Sequence, residues 1–144
     1  SHGADAVLDY TADGWRATLA TLTGGNGPDV IYDPVGGDIA EQAFRSIAWN
    51  GRHVVVGFAS GSIPALKFNL PLLKGGVLMG ADLAQIGRRE PQVRAHLVAQ
   101  LFDWLSSGRL VPVVGKVHAF EDFREAFRAM TMRAALGKMV VRIG

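Results

Sequence analysis

Asp29-Val30-Ile31-Tyr32-Asp33-Pro34-Val35-Gly36-Gly37 is the stretch whose reading decides the fold. A short apolar run rich in β-formers turns straight into proline and paired glycines. The same grammar returns one helix later, where Arg52-His53-Val54-Val55-Val56 runs into Gly57-Phe58-Ala59-Ser60-Gly61. Strand, glycine turn, helix, strand, glycine turn predicts a parallel α/β sheet. Ligands of such sheets lie outside the carboxyl ends of the strands.

The phosphate-binding signature of a dinucleotide fold, Gly-x-Gly-x-x-Gly, occurs nowhere in the chain. Gly25 and Gly27 share its first spacing, but Val30 stands at the third position. The expected architecture is therefore a partial, Rossmann-like, doubly wound parallel sheet that lacks its first βαβ unit.

With 144 residues, almost half of them hydrophobic and few charged, the chain is expected to bury a core. Net charge is +2, and the basic residues are scattered, which argues against nucleic acid as a partner. No apolar run reaches membrane-spanning length. Cysteine is absent, which excludes disulfides and thiolate chemistry here and fits a cytoplasmic location. Ser1-His2 reads as a tag remnant, leaving residues 3–144 as the natural portion, a C-terminal piece of a longer protein.

Outward from the two glycine turns, Ala6 to Tyr10 is expected as a strand, followed by a helix capped by Thr11 and carrying Trp15, Leu19 and Leu22. Asp38 and Glu41 have capping-box spacing at the start of the next helix. Ala40, Ala43, Phe44, Ile47 and Ala48 share its apolar face. Val54 to Val56 is expected as a strand buried on both sides. Residues 59–76 read as a loop, and residues 77–81 as a strand. Pro91 suits the first turn of a helix that aligns Val93, Leu97, Leu101 and Leu105. Val113 to His118 reads as extended. Phe120, Phe123, Phe127 and Met130 form a helical stripe expected in the core, and Lys138 to Ile143 a last strand.

Four motifs stand in register: Gly3-Ala4-Asp5-Ala6-Val7-Leu8-Asp9-Tyr10, Asp33-Pro34-Val35-Gly36-Gly37, Val56-Gly57-Phe58-Ala59-Ser60-Gly61 and Leu136-Gly137-Lys138-Met139-Val140. In order and spacing they resemble the medium-chain dehydrogenase/reductase superfamily, and most closely its zinc-independent quinone oxidoreductase branch. The resemblance covers essentially the whole chain. It implies the later part of a nucleotide-binding domain, followed by a C-terminal segment that returns toward a catalytic domain outside this sequence. It implies a parent that transfers hydride from NADPH to a quinone or α,β-unsaturated carbonyl, without a metal. The alternatives are an enoyl reductase of fatty-acid or polyketide type, or a non-catalytic assembly module. The isolated chain is expected to be inactive.

The resemblance also implies site residues. Tyr10 would pack by the adenine-ribose phosphate, or else be a solvated strand-end tyrosine. Val35 and Gly36 would approach the cofactor, the glycines serving a tight turn in either case. Gly57, Phe58 and Ala59 would face the nicotinamide, or else Phe58 would only cap the sheet. Arg133 would fork onto the 2′-phosphate, or else be solvated. No catalytic residue is named, and His53, His96 and His118 have no metal-site spacing. The resemblance further implies residues 6–10, 30–32 and 54–56 as strands three, four and five, with 139–143 or a neighbour as strand six. The sheet edges left open, with the subunit-joining role of residues 77–81 in the resembling enzymes, imply a homodimer or larger species.

Overall fold

The computed structural model describes residues 3–132 and 135–144. It comprises two compact units, one reaching to Pro91 and one running from Gln92 to Gly144. The first unit holds α1 (Trp15–Leu22), β1 (Val30–Asp33), α2 (Asp38–Ser46), β2 (Arg52–Val55), α3 (Asn69–Lys74), β3 (Val77–Gly80) and α4 (Leu83–Arg89). Its three strands form one parallel sheet in the order β1-β2-β3. Ile31, His53 and Leu78 stand in register, as do Asp33, Val55 and Gly80, so all three carboxyl ends open at one edge. This is the α/β parallel arrangement that the paired strand–glycine motifs predicted.

The core of this unit lies under α2. Phe44, Ile47 and Leu70 are buried together, with Ile31 and Leu66 packed against them. Residues of α2 repeat at helical spacing, and Ala40 and Phe44 form its buried face. Gly27 lets the chain entering β1 pass close to the end of this helix. Its φ is +79°, and a Cβ there would collide with the Ser46 carbonyl. The adjoining Pro28 carbonyl accepts the Ala48 N–H.

The second unit holds α5 (Pro91–Ser106), β4 (Val114–Ala119), a 3-10 turn over Phe120–Asp122, α6 (Phe123–Thr131) and β5 (Lys138–Arg142). Here β4 and β5 pair in parallel as a separate two-stranded sheet. Pro91 does open its helix.

Several expectations are corrected. Residues 6–10 form no strand, because no strand of the unit offers them a ladder. The chain instead turns at Asp9, whose Oδ1 accepts from the N–H and hydroxyl of Thr11. Thr11 is thereby taken out of the capping role, and α1 starts after Gly14 in left-handed conformation. No side chain caps α2. Gly37 precedes it, Asp38 is already helical, and Glu41 instead accepts from Arg45 one turn on.

The loop expected over 59–76 contains α3, and α4 was not foreseen. Both are short, with too few turns for a periodic signal, although Asp82 caps α4 through the Ala84 and Gln85 N–H groups. The strand beside β2 is β3, while residues 138–142 pair with β4. β2 is central but only His53 on it is buried, since three strands leave much of the sheet uncovered. The phenylalanine stripe is likewise not core within its unit. Phe120, Phe123, Phe127 and Met130 are exposed, and Ala126 is the buried residue of α6. A two-stranded sheet is too small to cover such a stripe.

Replacing Phe44 with alanine should cost about 3–5 kcal/mol, the usual loss for a fully buried aromatic. Denaturant unfolding checks this, and a loss below about 1 kcal/mol would mean that the α2 face is not the core.

Candidate functional site

The carboxyl ends of β1, β2 and β3 open into a cleft of about 1000 Å³ lined by Tyr32, Pro34, Gly57, Phe58, Gly80 and Asp82, among others. The start of α4 forms much of its wall, and the two glycine turns reach it through Pro34, Gly57 and Phe58. In the first, Gly36 has φ +65° and Gly37 has φ +65° with ψ −159°, a combination essentially reserved for glycine. A Cβ on Gly36 would sit 2.6 Å from Phe58 Cδ1 and 3.3 Å from the Ser62 carbonyl oxygen. The second turn differs. Gly57 is not at positive φ, and a Cβ there would make only an ordinary 3.4 Å contact with the Pro34 oxygen.

Hydrogen bonds join the two turns. Ala59 N–H donates to the Pro34 carbonyl at 2.9 Å and Ser60 N–H to the Val35 carbonyl at 3.0 Å. Gly37 N–H donates to the Ser62 carbonyl at 3.1 Å. Val35 and Gly36 N–H both donate to Asp33 Oδ1 at 2.9 Å. The N–H groups of the first turn are thus committed within the protein. Among the described residues, no hydrogen bond uses the N–H of Gly57 or Phe58. These two donors, at the rim of the cleft, are what the turns can offer a ligand.

Asp33 is the anchor of this arrangement. It is buried at the end of β1, and its Oδ2 accepts from His53 Nε2 at 2.9 Å. His53 is only 1 % exposed, and its ring stacks on Phe44 with centroids 5.9 Å apart. A carboxylate only accepts, so Nε2 carries the proton. The other ring nitrogen, Nδ1, is buried without a partner. Burial by itself pushes the Asp33 carboxyl up. The bonds from Gly36, His53 and Val35, with the attraction of the histidine, outweigh it and hold the carboxyl below the ordinary range. Sequence reasoning missed this pair. The partners are 20 residues apart with no motif between them. The one available signal was a polar ring inside a strand otherwise fit for burial.

The structure brings some expected site residues together and separates others. Gly57 and Phe58 line the main cleft. Val35 and Tyr10 line a second gap of about 440 Å³ beside β1, with Leu8, Trp15, Val30 and Ile31 among its other walls. Tyr32 and Pro34 border both spaces. Tyr10 lies in a turn rather than at a strand end. Gly36 and Ala59 line neither space and instead belong to the fabric of the turns. Arg133 falls outside the described residues. In the second unit, His118 is buried with Nε2 unpartnered, beside Lys116, Glu125 and Arg128.

A sequence model of the zinc-binding dehydrogenase family matches residues 2–141. The chain belongs to that family. It is similar to a quinone oxidoreductase-like protein 2 homolog of Nematostella vectensis, 34% identical over 140 residues, which cover 96% of this chain and 38% of the relative. A mycobacterial protein solved in complex with NADPH superposes with a TM-score of 0.79 at 30% identity, covering 98% of this chain and 44% of that one. A highly reducing polyketide synthase of Purpureocillium lilacinum is 26% identical over 132 residues, covering 87% of this chain and 5% of that protein. The chain spans about 40% of the length of the curated quinone oxidoreductase-like relatives it matches. The medium-chain dehydrogenase/reductase resemblance, its quinone oxidoreductase branch and the nucleotide-binding portion of the fold therefore stand.

Zinc does not fit the residues present. The sequence has no cysteine, and among the described residues no group of three or more His, Asp or Glu is placed to hold a metal. No helix of the described residues is long and apolar enough to cross a membrane.

The Asp33 bonds make a pH-dependent contribution to stability. Its folded pKa lies below its unfolded value, so the contribution is present above about pH 4 and lost as pH falls through the folded pKa. Asp33→Asn should cost about 2 kcal/mol near neutrality, the scale of hydrogen bonds to a charged group. Urea denaturation between neutral and acid pH should show that difference shrinking below about pH 4. A difference constant with pH would mean that the carboxylate charge contributes nothing.

Proposed function

We propose that the full-length protein is an NADPH-dependent reductase of quinones or α,β-unsaturated carbonyls, and that this chain supplies the nicotinamide side of its cofactor site. The observation that carries the proposal is the pair of uncommitted N–H groups on Gly57 and Phe58, at the carboxyl edge of a parallel sheet. Similarity to a quinone oxidoreductase-like protein and to a structure holding NADPH supports it.

In this proposal the N–H groups of Gly57 and Phe58 receive the nicotinamide carboxamide, and the absence of a side chain at Gly57 leaves room for the ring. The Val35-Gly36 turn forms the wall behind Phe58 and shapes the site without polar contact, and Ala59 fixes that turn through the Pro34 carbonyl. Tyr10 serves the ribose side, and the family resemblance alone assigns Arg133 to the 2′-phosphate. NADPH supplies the hydride when bound. The residues here contribute orientation and exclusion of water, which convert a bimolecular encounter into an aligned one. No side chain of this chain is assigned as catalytic, no zinc step is involved, and the setting is cytoplasmic.

A second reading is favoured by the polyketide synthase similarity: reduction of an enoyl thioester on the same cofactor site. The two readings differ in acceptor, so NADPH oxidation by the full-length protein against quinones, simple enones and enoyl thioesters separates them. NADPH consumption with none of these acceptors would overturn both. Gly57→Val should weaken NADPH binding roughly tenfold or more, equivalent to about 1.4 kcal/mol, with little change in melting temperature. A normal affinity in the folded variant would remove Gly57 from the site.

The 144 residues alone are proposed to act as a binding or assembly module without turnover. They lack the glycine-rich phosphate loop, and both edges of their three-stranded sheet carry exposed apolar residues: Val30 and Tyr32 on β1, Val77 to Met79 on β3. The isolated chain should sediment as a dimer or larger at about tens of micromolar, where open edges associate. A stable monomer in analytical ultracentrifugation would refute the edge-pairing proposal.

A further inference from the structure

His53 stands where a parallel strand under a helix ordinarily carries an aliphatic side chain. A buried polar ring is tolerated only where it is hydrogen-bonded. One of its nitrogens is bonded and the other is not, so the ring is not a fully satisfied piece of core. What it gains is a hold on Asp33. In the sheet register His53 lies opposite Ile31, and the side chain reaches diagonally to the residue two places on. Phe44, from the helix that follows the glycine turn, stacks on the ring. A closed circuit results: α2 braces His53, His53 fixes Asp33, Asp33 fixes the N–H groups of Val35 and Gly36, and that turn leads back into α2.

We propose that His53 is a positioning residue for the cofactor site, acting through Asp33 to hold the Val35-Gly36 turn against Phe58. The proposal rests on the NADPH reading given above. Asp33 Oδ1 takes both turn N–H groups because Oδ2 is held from the other side. Without Nε2, the carboxylate keeps its charge but loses its buried donor, and rotation about its own side chain can release the turn. The turn itself cannot relax by small steps. Gly36 packs so closely on Phe58 that even a methyl group would not fit, and Gly37 occupies a backbone region closed to other residues. Loosening it displaces Phe58, and with it the two donors offered to the ligand.

The chemistry of the test follows from reach. In glutamine the amide nitrogen stands as many bonds from Cβ as Nε2 does in histidine; in asparagine it stands one bond short. His53→Gln and His53→Asn in the full-length protein therefore share polarity and differ in whether they can bridge to Asp33. At a temperature where both are folded, His53→Asn should raise the NADPH dissociation constant roughly tenfold, a change of about 1.4 kcal/mol. His53→Gln should stay within about threefold of wild type, and the KM for the acceptor should be unchanged in both, since the affected turn backs Phe58, whose N–H is assigned to the cofactor.

Hydrogen exchange at the Val35 and Gly36 amides should accelerate in His53→Asn and not in His53→Gln. Equal NADPH affinity and equal exchange in the two folded variants would overturn the proposal. If His53→Asn does not fold, Asp33→Asn decides in its place: unchanged exchange and unchanged affinity there would overturn it equally. A wild-type protein that binds no NADPH overturns the cofactor reading instead, and the exchange comparison still reads whether His53 holds the turn.

Discussion

The Asp33 carboxylate is satisfied on both oxygens at the end of β1: two turn amides on Oδ1 and the His53 ring on Oδ2. Much of the first unit depends on that group. A buried charge is costly unless donors surround it; the donors here come from the turn and the neighbouring strand, and Phe44 of the following helix stacks on the donating ring. The carboxylate thus ties one strand end to the next. It also consumes the turn's own N–H groups, so that uncommitted donors remain at Gly57 and Phe58 and not at Gly36. A positional constraint and a chemical consequence come from the same bonds.

The glycines divide accordingly. Gly36 and Gly37 are glycine for reasons internal to the protein: positive φ and close approach to Phe58, Ser60 and Ser62. Gly57 has neither reason. Its backbone conformation is ordinary and a Cβ would fit against Pro34. A glycine without a conformational or packing requirement, at the rim of a cleft, is the better candidate for a surface kept bare for a ligand. Two adjacent turns of similar composition therefore carry different kinds of information.

Open surface is the other theme. Three parallel strands cannot bury both faces or either edge, so β-branched and aromatic residues that read as core stand half-exposed on β1 and β3. The second unit repeats the pattern, with a phenylalanine-rich helix against two strands. The chain spans about 40% of the length of its curated quinone oxidoreductase-like relatives.

Alternation of apolar runs with glycine turns fixed the parallel sheet, because each strand–turn junction is a local event written in consecutive residues. The apolar face of α2 and the opening of α5 at Pro91 were legible for the same reason, being set by near neighbours along the chain. The failures were of another kind. Ala6 to Tyr10 has strand composition but no ladder, and Asp38 and Glu41 have capping spacing but no capping bond, since Arg45 claims Glu41. The phenylalanine stripe has core periodicity but no surface to cover it. The Asp33–His53 pair could not be read at all. Its members meet only because parallel register sets them diagonally across two strands and Phe44 closes over them. The sequence by itself determined where the chain turns and which faces are apolar. Tertiary structure decided which hydrogen-bonding groups are consumed internally and which stay uncommitted, because satisfaction of a buried polar group depends on residues that only the fold brings within reach.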